Sequence, residues 1–510
     1  MEFSRYQTLN TLREGKLNMS SHGLSKEKLR VAFIHPDLGI GGAERLVVDA
    51  AMGLQEQGHE VIIYTSHCNR SHCFEEVKTG TLKVKVYGDM LPTNFMGKFF
   101  IMFATLRQLY LTLSLIATGQ INEHDIFIVD QLSTCVPFIK CFTKTGRVLF
   151  YCHFPDQLLA KRTSIIKRMY RIPFDFIEQV TMGAADGTVV NSNFTKSVFK
   201  KTFSLLSVIP DVVYPCVDLH TQSIDEADIT LYQKILPSDV QFYLSINRFE
   251  KKKNIELAIT SFASSKESDR RNAKLIVVGG YDERVTENKQ CLRNLEELST
   301  NLGLSHITLH YAKLIKEFEK IDIDVISNAK IIFVTSISSS FKELLLQRTR
   351  LLLYTPSYEH FGIVPLEAMK LGKPVLAVNN GGPLETVVTL KPNENENEST
   401  GWLRRSDAKE WAGAIDESVK YLESSETIFK TNGPRRVREK FSRDAMTRDL
   451  EFNIGKTSPQ YVNARRQASH WAPVKILATV LMSLFLYYLH GSKIWSMVSL
   501  AVLSVVFVYY

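Results

Sequence analysis

Two glutamates, Glu359 and Glu367, stand in the E-x7-E spacing shortly after the apolar run 350–354. The run predicts a buried strand, and Pro365 suits the first turn of a helix. Glu367 then lies in that first turn, and the turn between the two glutamates folds Glu359 back toward it. Carboxylates there can accept hydrogen bonds from hydroxyls of a sugar and a ribose, while the helix N-terminus faces phosphates. This is the most specific signal in the chain.

A basic run follows a second predicted strand, Gln241–Asn247, and contains Arg248, Lys252 and Lys253. An arginine fork with lysine point charges suits a diphosphate. The plain alternative is a solvated turn. The next predicted strand ends at Gly279, where a ligand could approach the backbone closely.

Two further loops follow strands of the first half. The loop after Arg30–His35 contains Gly41 and Gly42 and opens a helix whose free N–H groups attract anions. It is not a G-x-G-x-x-G loop, and a tight turn would also explain its glycines. His153 follows the strand Arg147–Cys152 and can orient a hydroxyl or a reacting centre, although a lone histidine is more often structural.

Short β-branched runs alternate with amphipathic stretches, which predicts βαβ units and two consecutive doubly wound α/β domains facing a cleft. The remaining strands are predicted at 60–66, 83–87, 125–130, 186–191, 273–278, 306–311, 330–335 and 373–378. The expected boundaries are a polar extension over 1–29, a Rossmann-like domain over 30–215, a linker over 216–240, a second Rossmann-like domain over 241–433, a basic closing helix and linker over 434–473, and a hydrophobic hairpin over 474–510.

The composition narrows the class of protein. The chain has 510 residues and a net charge of +8, spread along its length, so nucleic acid is not an expected partner. Seven cysteines are few and odd in number, which favours a reducing compartment over a disulfide scaffold.

Apolar stretches point to a membrane. Residues 474–489 and 494–510 are short for a full span, so both a thin hairpin and a re-entrant pair stay open. The cations that precede them place the chain's body on the cytoplasmic side. Residues 95–116 are apolar with Lys98 and Arg107. They fit an interfacial helix whose cations reach lipid head groups, or an ordinary packed helix.

Four strings, GGAERLVVDAA, YCHFPDQLL, NRFEKKKN and EHFGIVPLEAM, stand in this order, each at the end of a predicted strand. With them the chain over about 30–455 resembles the retaining nucleotide-sugar glycosyltransferases of the GT-B fold, family four. Within that family it is most similar to the enzymes that mannosylate dolichol-linked oligosaccharides, whose fungal members also have a hydrophobic C-terminal tail.

The resemblance implies a reaction and its partners. GDP-mannose would donate an α-1,3 and then an α-1,6 mannose to Man-GlcNAc2-diphospho-dolichol, with retention of configuration, on the cytosolic face of the endoplasmic reticulum. The first domain would bind the acceptor and the second the nucleotide sugar. No cofactor and no metal is implied, and association with other mannosyltransferases of the pathway stays open.

The resemblance also implies roles for single residues. Glu359, His153, Arg248 and Lys253 would be catalytic, with the two cations stabilising the departing GDP and His153 near the mannose C6 hydroxyl. Gly41 and Gly42 would approach a phosphate or the acceptor. The donor would be bound by Arg248, Lys252, Lys253, Gly279, Glu359, Phe361, Gly362, Ile363 and, at the ribose, Glu367.

Other interpretations remain open at this point. Two carboxylates also serve glycoside hydrolases, although phosphate-binding groups would be idle there. A related transferase adds N-acetylglucosamine to phosphatidylinositol. A non-enzymatic scaffold would have a degenerate form of the fold. Residues 67–73 hold two cysteines and two histidines, but four ligands so close in one loop rarely close a zinc tetrahedron.

Overall fold

The computed structural model describes residues 27–458 except 161, 221–222, 271, 318–322 and 425–426. It contains two seven-stranded sheets, and every strand pair recorded within them is parallel. Both sheets are covered by helices on their two faces, as parallel sheets require. In β1, Val31 and Phe33 enter one core while Ala32 and Ile34 enter the other. The predicted α/β architecture of two Rossmann-like domains is confirmed.

The first sheet has the order β3-β2-β1-β4-β5-β6-β7. Its strands are β1 Arg30–His35, β2 Glu60–Thr65, β3 Lys83–Val86, β4 Ile126–Asp130, β5 Arg147–Cys152, β6 Gly187–Val190 and β7 Asp211–Val212. Because β1 pairs with both β2 and β4, the strand order reverses there. Such a reversal opens a crevice at the carboxyl ends of the strands.

The second sheet has the order β10-β11-β9-β8-β12-β13-β14, and its order reverses at β8. Its strands are β8 Gln241–Ile246, β9 Ala273–Gly279, β10 His306–His310, β11 Ile331–Thr335, β12 Leu351–Tyr354, β13 Val375–Val378 and β14 Gly401–Arg404. The loops after β8 and β12 therefore meet at one edge of this sheet.

Each sheet forms a lobe together with the helices that pack on it, called here the first lobe and the second lobe. The helices are given in the order of the chain. Those of the first lobe are Gly42–Glu56, Glu75–Lys78, Phe100–Ala117, Val136–Phe142, Asp156–Leu159, Ile165–Met182 and Asn193–Thr202. Those from the second-lobe segment are Glu226–Ile235, Ile255–Ser264, Thr286–Asn301, Tyr311–Lys316, Ile323–Asn328, Ser339–Arg348, Ile363–Lys370, Pro383–Thr386, Ala408–Ser424, Thr427–Lys440 and Arg443–Lys456.

The segment 216–240, expected to be a linker, contains the helix Glu226–Ile235. Leu231 and Ile235 lie one turn apart on the same face and are buried in the second lobe's core. The polar character of the segment hid this pair of apolar positions. The segment is therefore part of the second lobe's packing as well as a connection.

The region 434–473, expected to hold a basic closing helix and a linker, begins with the end of one helix and the whole of another, which are separated at Phe441 and Ser442. The Ser442 side chain accepts a hydrogen bond from the Ala445 backbone and so caps a new helix. That helix, Arg443–Lys456, returns to the first lobe, where Met446 and Leu450 join its core. The last described residues thus pack on the lobe with which the described chain begins.

By length and composition, one helix among the described residues could cross a membrane, Phe100–Ala117, and a third of its span is buried. The expectation that both cations of residues 95–116 reach lipid head groups is wrong for Arg107. Its guanidinium is buried and donates to the Ser66 carbonyl at 3.1 Å. The expected extension over 1–29 lies almost wholly outside the described residues, and the hairpin over 474–510 lies wholly outside them.

Candidate active site

The basic loop after β8 sends its side chains in two directions. Arg248 and Lys252 are mostly exposed, and both pair with Glu250, at 3.3 and 3.1 Å. Lys253 turns inward instead, toward the loop that follows β12. Glu250 lies inside this basic run, and it pairs with the two exposed cations at the rim.

Lys253 and Glu359 are joined directly. Nζ of Lys253 lies 2.6 Å from Oε2 of Glu359, and both side chains are largely buried. The loop is fixed behind them, because Thr355 donates a hydrogen bond of 2.7 Å to the Lys253 carbonyl. The predicted diphosphate-binding cation and the predicted sugar-binding carboxylate are therefore in direct contact.

Two glycines allow the Glu359 loop to lie where it does. The backbone N–H of Gly382 donates to the Glu359 carbonyl at 2.7 Å. A Cβ on Gly382 would come within 2.1 Å of the Phe361 carbonyl oxygen, and one on Gly381 within 2.6 Å of the Glu359 carbonyl oxygen. These contacts are with backbone, so larger residues would push the loop away.

The three residues predicted to bind the donor after Glu359 differ in what they expose. Phe361 is buried, with its ring stacked on Tyr214 at 5.8 Å. Gly362 has a φ of 88° and begins the helix, while Ile363 packs against the core. A donor contact with Phe361 would therefore use its backbone rather than its ring.

Glu367 keeps one oxygen free of protein partners. Its Oε1 accepts from Nζ of Lys342 at 2.8 Å, whereas its Oε2 is buried without a hydrogen bond among the described residues. A buried unpaired carboxylate oxygen is costly, and a ligand hydroxyl would satisfy it. Burial, and after it the charges of Glu359 and Glu367, raises the pKa of Tyr354, so both carboxylates act on one phenol.

Gly279 has a structural reason to be glycine. A Cβ there would come within 1.8 Å of the Asn247 carbonyl oxygen, because β8 and β9 are paired parallel strands whose ends lie side by side. The space beside it is filled by the chain itself, so its predicted donor contact stays a prediction.

The glycine loop of the first lobe opens the helix Gly42–Glu56 as expected. Gly41 is extended, and a Cβ added at Gly42 would have no heavy atom within 4 Å. The carboxylate of Glu44 lies within 2.2 Å of where a Gly41 Cβ would stand. An anion approaching Gly41 would therefore meet the chain's own carboxylate at this helix N-terminus.

His153 belongs to a buried cluster at the carboxyl ends of β1, β4 and β5. Its Nε2 lies 2.9 Å from Asp130, and Nδ1 of His35 lies 2.9 Å from the same carboxylate. Burial raises the pKa of Asp130, but the charge of His35 and the bonds to both rings outweigh it and lower the pKa to about 2. Burial also lowers the pKa of His35, and Asp130 outweighs it, so the net shift is upward. The anion thus orients both imidazoles.

The two lobes touch at these groups. The rings of Phe154 and His360 stack with centroids 3.7 Å apart and planes 8° from parallel. Burial, followed by Lys253, Lys252 and His153, lowers the pKa of His360, while Glu359 opposes the shift. The charges of the Lys253–Glu359 pair in one lobe and of His153 in the other therefore act on the same imidazole, whose ring lies on Phe154.

A second contact between lobes lies beside the first. Glu385, in the helix Pro383–Thr386, accepts from the backbone of Asn193 and Phe194 at 2.8 and 2.9 Å. It also accepts from the Tyr214 hydroxyl at 2.9 Å. A carboxylate of the second lobe thus caps the helix Asn193–Thr202 of the first.

Known families match both lobes. The family model for glycosyltransferase family 4 matches residues 40–221, and that for glycosyl transferases group 1 matches residues 230–435. An alpha-1,3/1,6-mannosyltransferase, ALG2, from Saccharomyces cerevisiae is 58% identical over 85% of this chain and 86% of its own length. The ALG2 of Candida glabrata is 59% identical over 84% of this chain and 93% of its own.

The chain belongs to the ALG2 family of alpha-1,3/1,6-mannosyltransferases. It is a glycosyltransferase of the N-glycan precursor pathway. Membership of this family excludes the alternatives of a glycoside hydrolase and a non-enzymatic scaffold. Each carboxylate of the E-x7-E pair is also engaged by a lysine, which does not suit the protonated acid of a hydrolase.

Solved structures support the fold. A sucrose-phosphate synthase from Thermosynechococcus elongatus aligns with a TM-score of 0.59 at 18% identity, over 84% of this chain and 99% of its own. HepE from Anabaena, in complex with UDP, aligns with a TM-score of 0.58 at 15% identity, over 84% of this chain and 100% of its own. Together with the family models they assign the GT-B fold to the ALG2 family member described here.

Sequence reasoning missed four polar groups of this site. Asp130 had a usable signal, because it ends a buried strand at the point where the strand order reverses. His360 stands inside one of the four family strings, yet the sequence assigned it no role. The roles of Lys342 and Glu385 depend on tertiary contacts, and the local sequence gives no signal for either. At 67–73, His67 pairs with Asp89, and among the described residues no three metal-ligating side chains cluster.

Proposed function

We propose that the chain transfers mannose from GDP-mannose to Man-GlcNAc2-diphospho-dolichol, adding an α-1,3 and then an α-1,6 mannose with retention of configuration. The observation that carries this proposal is the contact between Lys253 and Glu359, next in the chain to His360, whose ring stacks on Phe154 of the other lobe. It offers a cation for a diphosphate and a carboxylate for sugar hydroxyls within the reach of one bound nucleotide sugar.

At the nucleotide end, Lys253 and Arg248 would stabilise the charge that develops on the leaving GDP. Arg248 is exposed and contacts the largely buried Glu250 at 3.3 Å, so its guanidinium can turn from Glu250 toward a phosphate. Lys252 would do the same from the rim. Glu367 would accept from a ribose hydroxyl through its unpartnered Oε2.

At the sugar end, Glu359 would accept from hydroxyls of the mannose. His153 would face the mannose C6 hydroxyl, held in orientation by Asp130. The acceptor hydroxyl would form its bond to the anomeric carbon on the face from which the phosphate oxygen departs, and that oxygen would take the hydroxyl proton. Charge stabilisation of the leaving group would come from protein cations.

We place the catalytic lobes on the cytosolic face of the endoplasmic reticulum membrane. All seven cysteines are free thiols, which supports a reducing compartment. The cations that precede residues 474–510 support the same side of the membrane.

The experiment uses the purified full chain with lipid-linked Man-GlcNAc2, GDP-mannose and mass analysis of the products. We expect one and then two added hexoses, with linkages identified by linkage-specific mannosidases. UDP-N-acetylglucosamine with phosphatidylinositol tests the alternative transferase. No hexose addition from GDP-mannose, or transfer from the other donor, would overturn the proposal.

A further inference from the structure

The helix Ile165–Met182 has its charged face toward the protein and its apolar face toward solvent, the reverse of an ordinary surface helix. Its charged residues Arg171, Asp175 and Glu178 face the first lobe, where Arg171 pairs with Asp156 at 2.7 Å. Its apolar residues face outward along one stripe at helical spacing. They are 45–80% exposed and comprise Ile165, Ile166, Met169, Ile172, Phe176 and Val180. A helix surrounded by water shows the opposite arrangement.

A second apolar segment extends this stripe. The ring of Phe99 contacts Tyr170 of the helix with centroids 5.5 Å apart. Around it, Phe95, Met96 and Phe100 are 60%, 83% and 58% exposed. The two segments make one contiguous apolar surface, called here the apolar face. Soluble monomers rarely expose so large a patch without a binding role.

The charges around the apolar face have one sign. Lys98 and Arg168 are exposed at its border, whereas Lys167 is exposed on the side of the helix that carries Arg171. Within 92–107 and 164–182 the acids are Asp175 and Glu178, and both turn inward. Apolar side chains edged by outward cations suit a lipid surface with anionic head groups.

The apolar face is linked to the reaction centre by a short path. Asp156, the partner of Arg171, lies three residues after His153, and its backbone N–H donates to Glu178 at 2.7 Å. The inward charges of the helix therefore hold the segment that carries His153.

We infer that the apolar face of Ile165–Met182 and Phe95–Phe100 lies in one leaflet of a bilayer containing anionic lipids, and that the Asp156–Arg171 pair sets the distance from that leaflet to His153. This deepens the proposed function, on which its second clause rests. A lipid-anchored acceptor would then reach the cleft while its hydrocarbon chain stays in the membrane. The helix Phe100–Ala117 lies along the leaflet, because its Arg107 side is buried in the first lobe.

The test places tryptophan in the full chain, reconstituted in vesicles of phosphatidylcholine and phosphatidylserine brominated in the upper acyl chain. Ile172→Trp reports on the apolar face. Val285→Trp, at an exposed apolar position of the second lobe, is the matched control. We expect the added fluorescence of Ile172→Trp to be quenched and that of Val285→Trp to be unchanged. No quenching at Ile172 would overturn the inference, whether residues 474–510 or a second copy covers the face instead.

A second measurement tests the link to the site. Phe176→Asp should lower transfer to a long-chain lipid acceptor in vesicles by about tenfold, because a carboxylate opposes insertion. Transfer to a short-chain soluble acceptor should stay within about twofold, since the cleft is unchanged. Equal loss on both acceptors would contradict the second clause. The quenching needs neither donor nor acceptor, so it stands apart from any failure of the proposed function.

Discussion

Nζ of Lys253 lies 2.6 Å from Oε2 of Glu359, although the two residues are 106 positions apart in the chain. The contact exists because β8 and β12 are neighbours in the second sheet, so their following loops meet. A ligand with a negative diphosphate at Lys253 therefore has its adjoining group beside Glu359. This relationship leads to the first prediction.

Lys253→Ala should lower kcat/KM for mannose transfer by about 10²–10³, the range seen when a transition-state charge partner is removed. The variant also leaves the largely buried Glu359 without its cation, so thermal unfolding is measured and the activity is compared per folded protein. Lys391→Ala removes an exposed lysine of the same lobe and serves as the control. Steady-state kinetics with varied donor decide the matter, and a value within twofold of the parent would contradict the role.

Asp130→Asn should reduce stability in a pH-dependent way. The pKa of His35 is raised above its usual 6.5, so the stabilisation it draws from Asp130 is complete below pH 6.5 and is lost as pH rises through the raised pKa. The loss in unfolding free energy should be roughly 3–5 kcal/mol near pH 5 and smaller near pH 9. Denaturant titrations at both pH values measure it.

The control for that experiment is Asp89→Asn. Asp89 also pairs with a histidine, His67, at 2.6 Å, but its side chain is 58% exposed. Water screens such a pair, so the variant should lose little at either pH. If the two variants lose equal unfolding free energy, the buried pairing of Asp130 with His35 stabilises the protein no more than an exposed pair does.

Phe154→Ala should weaken the contact between the lobes. Its ring stacks on His360, and aromatic pairs contribute about 0.5–1.5 kcal/mol beyond burial. We expect kcat/KM to fall by a factor of about two to twelve. His360→Phe retains a stacked ring, so it should keep most of the parent's kcat/KM if stacking is what matters. If it is as impaired as Phe154→Ala, the imidazole itself is required.

Gly382→Ala should distort the Glu359 loop, because its Cβ would meet the Phe361 carbonyl oxygen at 2.1 Å. Activity should fall with stability. Gly413 provides the comparison, since it lies in the helix Ala408–Ser424 with nothing within 4 Å of a Cβ. Gly413→Ala should be neutral or should stabilise the protein by about 0.5–1 kcal/mol. Thermal unfolding and transfer rate, measured together, separate the two cases.

The buried strands were predictable because they form continuous β-branched and apolar runs, and each predicted one is present. Two edge strands were missed. Asp211–Val212 has only two residues, and Gly401–Arg404 follows a polar loop, so neither offers a periodic apolar signal. The helix Glu226–Ile235 was missed because only a few of its positions face the core.

The candidate site could be predicted only where a residue type sat at the end of a strand. Glu359, Lys253 and His153 meet that condition. The fold joins Lys253 to Glu359, and it stacks Phe154, the residue after His153, on His360. Lys342 lies within a helix with no local mark of its partnership with Glu367. The inward charges of Ile165–Met182 were hidden for a related reason: periodicity reveals an apolar stripe without saying which side faces the core.

The return of Arg443–Lys456 to the first lobe has a mechanical consequence. Lys456 pairs with Asp211 there, so the described chain ends on the first lobe. Under the proposed function, a membrane attachment made by the residues after 458 would act on the lobe that holds the acceptor. Exchange of spent nucleotide for fresh donor would then need only the second lobe to move, while the oligosaccharide stays bound to the first.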